Sequence, residues 1–196
     1  MMTAQDDNDP TMSGGSGDGS EHSSWQIEPM PPGLIDQPLD FIFAEHHRQR
    51  EAATILLQIS HGEFDRLGIK ELIEFLEVDF ARHIGDEELA LFPLLRTHCL
   101  PEDNVEAVIK RLADEHREDE SSGKVIIAIL KSLLEGQALS LDDRRRLKVF
   151  AEHIQQHLAL ENGVLLPIAR VRLQFSELKI LSDILKQRRR SNKHHQ

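Results

Sequence analysis

The sequence predicts an all-α protein, built as an up-down-up-down four-helix bundle with a short fifth helix near the C-terminus. Apolar residues recur every three or four positions along four long segments, which is the spacing of one helix face. Short connections separate these segments, and short connections place consecutive helices side by side and antiparallel. Together these two observations favour a bundle over other helical folds.

The first three segments have recognisable start and stop signals. Asp36 and Pro38 precede the first apolar stripe, and Gly62 follows it, as is typical of a helix start and a helix end. Pro101 follows the second segment and Gly136 follows the third. These signals place the three helices at about 38–60, 69–96 and 102–135.

The remaining two segments form the end of the chain. Ser140 and Asp143 have the spacing of a capping box, in which each side chain bonds the backbone of the other residue at a helix start. We therefore expect the fourth helix at about 141–172. A fifth helix, at about 176–190, presents four apolar residues on one face: Leu178, Leu181, Ile184 and Leu185.

The two ends of the chain differ in charge from the bundle, which we place at residues 34–172. Residues 1–33 are rich in glycine, serine, aspartate and proline and lack periodicity, so we expect a disordered acidic tail that Trp25 could anchor. Residues 173–196, with six basic and two acidic residues, are expected to form the short amphipathic helix and a basic tail. A solvated tail is the interpretation we favour, with RNA, a membrane surface or an acidic protein as alternative contacts.

Composition excludes several classes of protein. A chain of 196 residues has room for one domain plus tails. The single cysteine, Cys99, excludes a disulfide framework, a cysteine-based zinc finger and a cysteine-ligated iron–sulfur cluster. The net charge of −11 argues against nucleic-acid binding, and no apolar run is long enough to span a membrane. We expect a cytoplasmic protein, whose eleven histidines need an explanation.

Each apolar stripe is interrupted at one level by polar residues. A buried polar group without a partner costs about 1–3 kcal/mol, so four helices with the same interruption need a common explanation. A bound cation provides one, because neutral imidazoles and carboxylates are its ligands. The interrupting residues are His46 on the first helix, His83 and Glu87 on the second, His116 and Glu120 on the third, and His157 and Glu161 on the fourth.

The spacing after the two glutamates predicts where each stripe continues. His83 with Glu87, and His157 with Glu161, lie four residues apart, so each pair leaves its helix on one face, one turn apart. Continued α-helical spacing places Ala90 and Leu94 in the core on the second helix. The same spacing places Val164 and Ile168 in the core on the fourth helix.

An internal repeat relates the two halves of the bundle. RHIGDEELALFPLLR (82–96) aligns with QHLALENGVLLPIAR (156–170), and AEHHRQRE (44–51) aligns with DEHREDES (114–121). The second alignment places His46 opposite His116, which selects His46 over His47 as the inward residue. Two similar hairpins related by a pseudo-two-fold axis would build a symmetric two-metal site at their interface.

The chain resembles the hemerythrin-like, or HHE cation-binding, family over about residues 38–172, and its bacterial members most. The resemblance rests on Glu-His at positions 45–46 and 115–116, on H-x-x-x-E followed by LFP from position 83, and on H-x-x-x-E followed by LLP from position 157. It implies a left-twisted bundle holding an oxo-bridged, non-haem pair of irons. The implied terminal ligands are His46, His83, His116 and His157, and the implied bridging ligands are Glu87 and Glu161.

Two departures from the oxygen-carrying members of the family bear on function. Those proteins carry a second histidine where this chain has Glu120, and an aspartate where it has Asn162. The resemblance therefore favours sensing, storage or detoxification of oxygen, nitric oxide, peroxide or iron over reversible oxygen carriage. Ferritin-like di-iron proteins use Glu-x-x-His. That pattern is absent, because the residues three before the four histidines are Phe43, Phe80, Ala113 and Ile154.

Three functions remain open at the level of sequence. The first is a di-iron protein that binds a small diatomic ligand or peroxide, and we favour this binding or sensing role over an enzyme. The second is a redox enzyme on the same centre, with peroxidase-like or nitric oxide-reducing activity. The third is a helical regulatory module whose histidines and glutamates form a proton-linked network without metal. His153 and Glu120 are further candidate ligands.

Overall fold

A computed structural model of the chain describes residues 23–191. It contains five long helices and, within that range, no β-strand: α1 (Pro38–His61), α2 (residues 66–98), α3 (Val105–Leu134), α4 (residues 141–172) and α5 (Phe175–Ser191). The prediction of an all-α bundle with a fifth helix is confirmed. The division into a bundle and two tails stays a prediction, and residues 1–22 of the acidic tail lie outside the described part.

The helix ends follow the sequence signals closely. Gly62 ends α1 with a φ of 101°, a left-handed conformation that glycine adopts without strain. The capping box of Ser140 and Asp143 at the start of α4 is confirmed. Helix α2 begins earlier than predicted, because the carboxylate of Asp65 accepts hydrogen bonds from the backbone amides of Leu67 and Gly68.

Helices α2 and α4 are continuous but contain wider, π-helical turns. Those of α2 are Phe75–Phe80 and Glu87–Leu91, and that of α4 is Glu161–Leu165. Two of these turns precede Pro93 and Pro167. Proline has no N–H to continue an α-helical ladder and its ring crowds the carbonyl four residues earlier, so a locally widened turn accommodates it.

The π turns shift the helix register by about one residue. Ala90 is buried as predicted, but the later positions of the predicted stripes are wrong. The predicted core residue Leu94 is only half-buried, and Val164 is exposed. Their neighbours Leu95 and Leu165 are fully buried instead. A π turn contains more residues than an α turn, so every later side chain rotates around the helix axis.

The apolar core consists of two clusters with the polar layer between them. The first contains the C-terminal part of α1, the N-terminal part of α2, the C-terminal part of α3 and the first half of α4. The second contains the opposite ends of those helices together with Leu181 and Leu185 of α5. Apolar side chains buried on both sides exclude water from the layer. Each Å² of apolar surface that they bury stabilises the fold by roughly 25 cal/mol.

Segments that flank the bundle also pack on it. Trp25 is buried in the first cluster and lies so close to Gly68 that a Cβ there would sit 2.9 Å from the Trp25 Cβ. On the opposite cluster, the hydroxyl of Ser182 in α5 donates to the backbone carbonyl of Ile35 at 2.8 Å. Among residues 23–191, none of the helices combines the length and the hydrophobicity needed to cross a bilayer.

Candidate metal centre

The structure brings the six sequence-predicted ligands together in the layer between the two clusters. Their placement follows the bundle, since each of the helices α1 to α4 contributes one histidine, and α2 and α4 add a glutamate one turn later. None is more than 5% exposed: His46, His83, Glu87, His116, His157 and Glu161.

The six side chains form two overlapping groups that share both glutamates. His46 and His83 belong to the first group and His116 and His157 to the second. Within each group, one ligand atom per residue lies within 4.8 Å of all the others, so each group could hold a metal ion. The ring centroids of the two histidines are 4.9 Å apart in both groups, with angles of 82° and 50° between the ring planes.

Each imidazole directs its Nε2 toward a shared carboxylate. His46 lies 3.3 Å from Glu161, and His116 lies 3.4 Å from Glu87. His157 approaches Glu161 to 2.9 Å, and the corresponding distance from His83 to Glu87 is 3.8 Å. The shared carboxylates are therefore central, and the four rings surround them.

The nitrogen and oxygen atoms that face one another in this layer are suited to bind a cation. Within the described part of the chain, Nε2 of His46, His83 and His116 is buried without a hydrogen-bond partner. The same holds for both carboxylate oxygens of Glu87 and of Glu161. Buried polar atoms are almost always bonded, so seven such atoms directed at one another indicate a site for ions that imidazole nitrogen and carboxylate oxygen bind.

The Nδ1 atom of every histidine in the layer has its own partner. His83 and His157 contact the carboxylates of Glu45 and Glu115, at 3.1 and 2.8 Å. His116 contacts Glu88 at 3.1 Å, and the Nδ1 of His46 meets the amide oxygen of Asn162 at 2.9 Å. A proton held on Nδ1 leaves the lone pair on Nε2, which is the tautomer that binds a metal through Nε2.

The outer partners are in turn held by arginines. Arg111, one turn before Glu115 on α3, donates to it at 2.8 Å. Arg189 of α5 donates to Glu45 at 2.8 Å. A chain of hydrogen bonds thus runs from a guanidinium through a carboxylate to an imidazole in each half of the layer.

The electrostatics of the layer favour positive charge. Burial disfavours the imidazolium forms, yet the pKa of His83 is raised to about 9, because Glu87, Glu45 and Glu161 surround the ring. For His157, burial is again outweighed by Glu161 and its neighbours, and the pKa rises to about 10. Burial would raise the pKa of Glu87, but nearby histidines, with His83 the largest contributor, hold it well below its usual range. A bound cation would neutralise the carboxylates in place of the protons on His83 and His157.

The two further candidate ligands lie outside both groups. Glu120, which its stripe places in the core, is exposed, so that expectation is wrong. Asp119 is buried in its place, because positions three and four after His116 share one helix face and the helix turns the nearer one inward. His153 lies 3.2 Å from Asp119, and its ring is 6.4 Å from that of His157. His47 is exposed.

Sequence reasoning missed several of the residues behind the ligands. Glu45 and Glu115 precede equivalent histidines in the repeat, so the alignment contained a signal for them. Asp119, Asp86 and Arg189 had no such signal. Asp86 is fully buried beside Glu87, and Arg189 belongs to the basic end of the chain, for which the sequence favours a solvated position.

Comparison with known proteins agrees with this geometry. A family model described as the hemerythrin HHE cation binding domain matches residues 37–169. The matched range contains all six residues of the layer and most of the four bundle helices, whereas α5 lies beyond it. No curated protein matches the chain significantly.

Proposed function

The chain belongs to the hemerythrin HHE cation-binding family, and from this premise we propose that its buried layer holds two iron ions. In this proposal His46 and His83 bind one ion, His116 and His157 bind the other, and both glutamates bridge the pair. The protein then serves to sense, store or detoxify oxygen, nitric oxide, peroxide or iron, in the cytoplasm that its sequence predicts.

One observation carries the proposal: buried imidazole nitrogens and carboxylate oxygens face one another without hydrogen-bond partners among the described residues. The grouping supports two ions over one. Glu87 and Glu161 belong to both sets of four residues, and each carboxylate has two oxygens with which to reach both positions. A mixed set of imidazole and carboxylate ligands suits iron, although it also suits other transition metals.

The protein's own residues prepare the site in three ways. The Nδ1 partners fix each ring and direct Nε2 inward. Phe92 stacks flat on His116 with ring centroids 5.9 Å apart, which restricts rotation of that ring. The two apolar clusters exclude bulk water. Bound iron supplies one-electron chemistry toward small diatomic molecules and peroxide.

The ligand set favours sensing or detoxification over oxygen carriage. Four imidazoles and two carboxylates would leave more coordination positions open than a set with a further histidine. Open positions allow water and small molecules to reach the ions and react, whereas reversible carriage requires an oxygen molecule that is bound and released unchanged. Asn162 and the exposed Glu120 stand where oxygen carriers have metal ligands, and neither belongs to the two groups.

Metal analysis of anaerobically purified protein tests the proposal. We expect about two irons per chain and, after exposure to air, an iron charge-transfer band in the near ultraviolet. The double variant His83→Ala/His157→Ala should lose both signals, since it removes one ligand from each group. His47→Ala is the matched control, because this exposed neighbour of His46 should retain full iron. Less than one iron per chain, or no loss in the double variant, would reject the proposal.

A redox enzyme on the same centre is the second candidate. A cavity of about 550 Å³ lies between α3 and α4, and both Asp119 and His153 line it. His153 neighbours His157, so this cavity offers a small substrate an approach to one half of the layer. Turnover of peroxide and of nitric oxide would be compared in the wild type and in Glu87→Gln. Equal rates in both proteins would argue against catalysis at this centre.

A metal-independent helical module remains the third possibility. It predicts a melting temperature that chelators do not change. Binding of ions to the folded state alone raises stability, so the di-iron proposal predicts a large fall in melting temperature when iron is removed.

A further inference from the structure

Helix α5 lies beyond the range that the family model matches, yet it reaches the residues behind the metal centre. Its apolar face packs through Leu181 and Leu185, which are fully buried, on the second core cluster. This packing aligns its last two turns with α1 and α2. Two consecutive arginines, Arg188 and Arg189, leave the helix there and point toward the layer.

The guanidinium of Arg189 is held at several points. It donates to Glu45 at 2.8 Å and pairs with Asp86 at the same distance. Its carbon Cζ lies 4.4 Å from the ring centroid of Phe41, an arrangement that stabilises a cation over an aromatic face. It also donates to the carbonyl of Leu185 at 3.0 Å. An arginine with four fixed contacts, 20% exposed, is part of the fold and not of a solvated tail.

Asp86 explains why two arginines are needed. It is fully buried and directly precedes Glu87 in the chain. Arg188 donates to it at 2.5 Å, while Arg189 contacts its other oxygen. Gly85 has no side chain, and a Cβ there would collide with the Arg188 guanidinium. Without α5, the buried carboxylates of Glu45 and Asp86 would lose their arginine partners, which is strongly unfavourable for ionised groups.

We propose that Arg189 is a positioning residue of the metal centre: its guanidinium fixes Glu45, and Glu45 holds the His83 ring so that Nε2 faces the cation. The bond from Glu45 to His83 is 3.1 Å, and the other oxygen of the same carboxylate receives Arg189. The metal centre therefore extends beyond the four-helix domain to the C-terminal helix. This inference rests on the proposed function, since it concerns how the same ions are held.

The other half of the layer provides an internal control. Arg111, Glu115 and His157 form the same chain of contacts, from guanidinium through carboxylate to Nδ1. Arg111 is 61% exposed, against 20% for Arg189, and it lies on the same helix as its glutamate. Water competes for an exposed pair and can replace the arginine, so Arg111 should matter much less than Arg189.

Cobalt(II) serves as the probe in a test with the full-length chain. Metal-free protein is loaded with cobalt, whose visible spectrum reports ligand geometry, and is then mixed with excess EDTA. In Arg189→Gln we expect one ion to leave at least about tenfold faster than in the wild type, the range found for loss of such outer partners. The second ion should leave at the wild-type rate. In Arg111→Gln both rates should change less than about threefold.

Two companion variants separate positioning from general stability. In Arg189→Gln, the buried carboxylate of Asp86 loses one of its two arginine partners. The double variant Arg189→Gln/Asp86→Asn also removes the charge of Asp86. The melting temperature of its metal-free form should therefore return toward that of the wild type. Fast cobalt release should persist in it, because Glu45 is still not held. Arg189→Lys keeps the charge but reaches one carboxylate, and its release rate should be intermediate. Recovery of the wild-type rate in the double variant would overturn the proposal.

A measurement on metal-free protein keeps the inference separate from the proposed function. The Nδ1–H signal of His83 in nitrogen-15 NMR, identified by its loss in His83→Gln, should exchange faster with water in Arg189→Gln and stay unchanged in Arg111→Gln. If the wild type binds no cobalt or iron, the proposed function fails. If it binds metal and Arg189→Gln matches it in release and in proton exchange, only the positioning role is rejected.

Discussion

The half of the polar layer formed by His46 and His83 is covered on its outer side. In the half formed by His116 and His157, by contrast, the carboxylates that contact Nδ1 lie near the surface. In the first half Glu45 is buried beneath α5. In the second, the carboxylate of Glu88 is 37% exposed, and Glu115 is held by an exposed arginine. In both halves the ring centroids of the two histidines are nonetheless 4.9 Å apart, and every Nε2 faces a shared carboxylate.

This difference in exposure shows that the ligands and the residues that cover them come from different parts of the fold. The two hairpins repeat each other and supply equivalent ligands, so the inner symmetry is a property of the repeat. Within residues 23–191, helix α5 has no counterpart on the other hairpin, so it breaks that symmetry from outside. We infer that the first half retains its ion more firmly, while the second half is where small molecules arrive.

The largest expected effect comes from removing a ligand that both halves share. Glu87→Ala should release both ions, because Glu87 belongs to both groups of four residues. Iron content should fall from about two per chain to near zero, and the melting temperature of the iron-loaded protein should fall by roughly 10 °C or more, since bound metal stabilises only the folded state. Metal analysis and calorimetry check this.

The matched comparison is His116→Ala, which lies in one group only. It should lose about one ion per chain and retain the other. If Glu87→Ala also lost only one ion, Glu87 would not be shared and the two-ion arrangement would be wrong.

The next effect is a pH dependence of the metal-free protein. Because the pKa values of His83 and His157 are raised to about 9 and 10, these residues bind protons more tightly when folded than when unfolded. Their contribution to stability is complete below the unfolded value of about 6.5 and is lost as the pH rises through 9 and 10. The melting temperature should therefore fall by at least about 5 °C between pH 6.5 and pH 10.

The contributions of His83 and His157, one from each half of the layer, to this pH dependence can be measured separately. His83→Gln should remove the part of the decline centred near pH 9, and His157→Gln the part centred near pH 10. Glu87, whose pKa is lowered, contributes stability that is lost only under acidic conditions. Iron-loaded protein should show a smaller alkaline decline, because a metal replaces the protons. A melting temperature that stays constant from pH 6.5 to pH 10 would contradict the proposed protonation.

The six side chains that meet in the inner layer could be identified from the sequence because the layer is local and repeated. Histidine and glutamate four residues apart share a helix face in any bundle, and the alignment of the hairpins selected His46 over its exposed neighbour His47. The five helices were predictable from periodicity and from end signals such as Gly62 and Ser140.

The wrong predictions concern local widening of a helix and packing between distant segments. The π turns moved burial from Val164 to Leu165, since helix register cannot be read from α-helical spacing once a turn widens. The contact from Arg189 to Glu45 spans 144 positions. In the sequence, that arginine belongs to a basic run that looks solvated.

A smaller effect should appear in the reverse direction, from the metal to α5. If α5 stabilises the first half of the layer, then occupancy of that half must stabilise the docking of α5 to the same extent. Hydrogen–deuterium exchange should show slower exchange around Leu185 when the protein is loaded with iron. The change should be weaker in the C-terminal turns of α3, which lie far from α5 and belong to the first core cluster. Equal changes in both regions would indicate general stabilisation only.

The smallest effect is expected at the most exposed outer partner. Glu88→Gln should change the rate of cobalt release by less than about threefold, because water competes for this side chain and glutamine can still accept a hydrogen bond from His116. Glu45→Gln, at the buried carboxylate on the other half, should have at least about a tenfold effect, since it removes one of the two carboxylates that hold Arg189 and alters the bond to His83. If the two substitutions had equal effects, burial behind the ligands would not control retention, and the asymmetry between the halves would have no consequence for the metal.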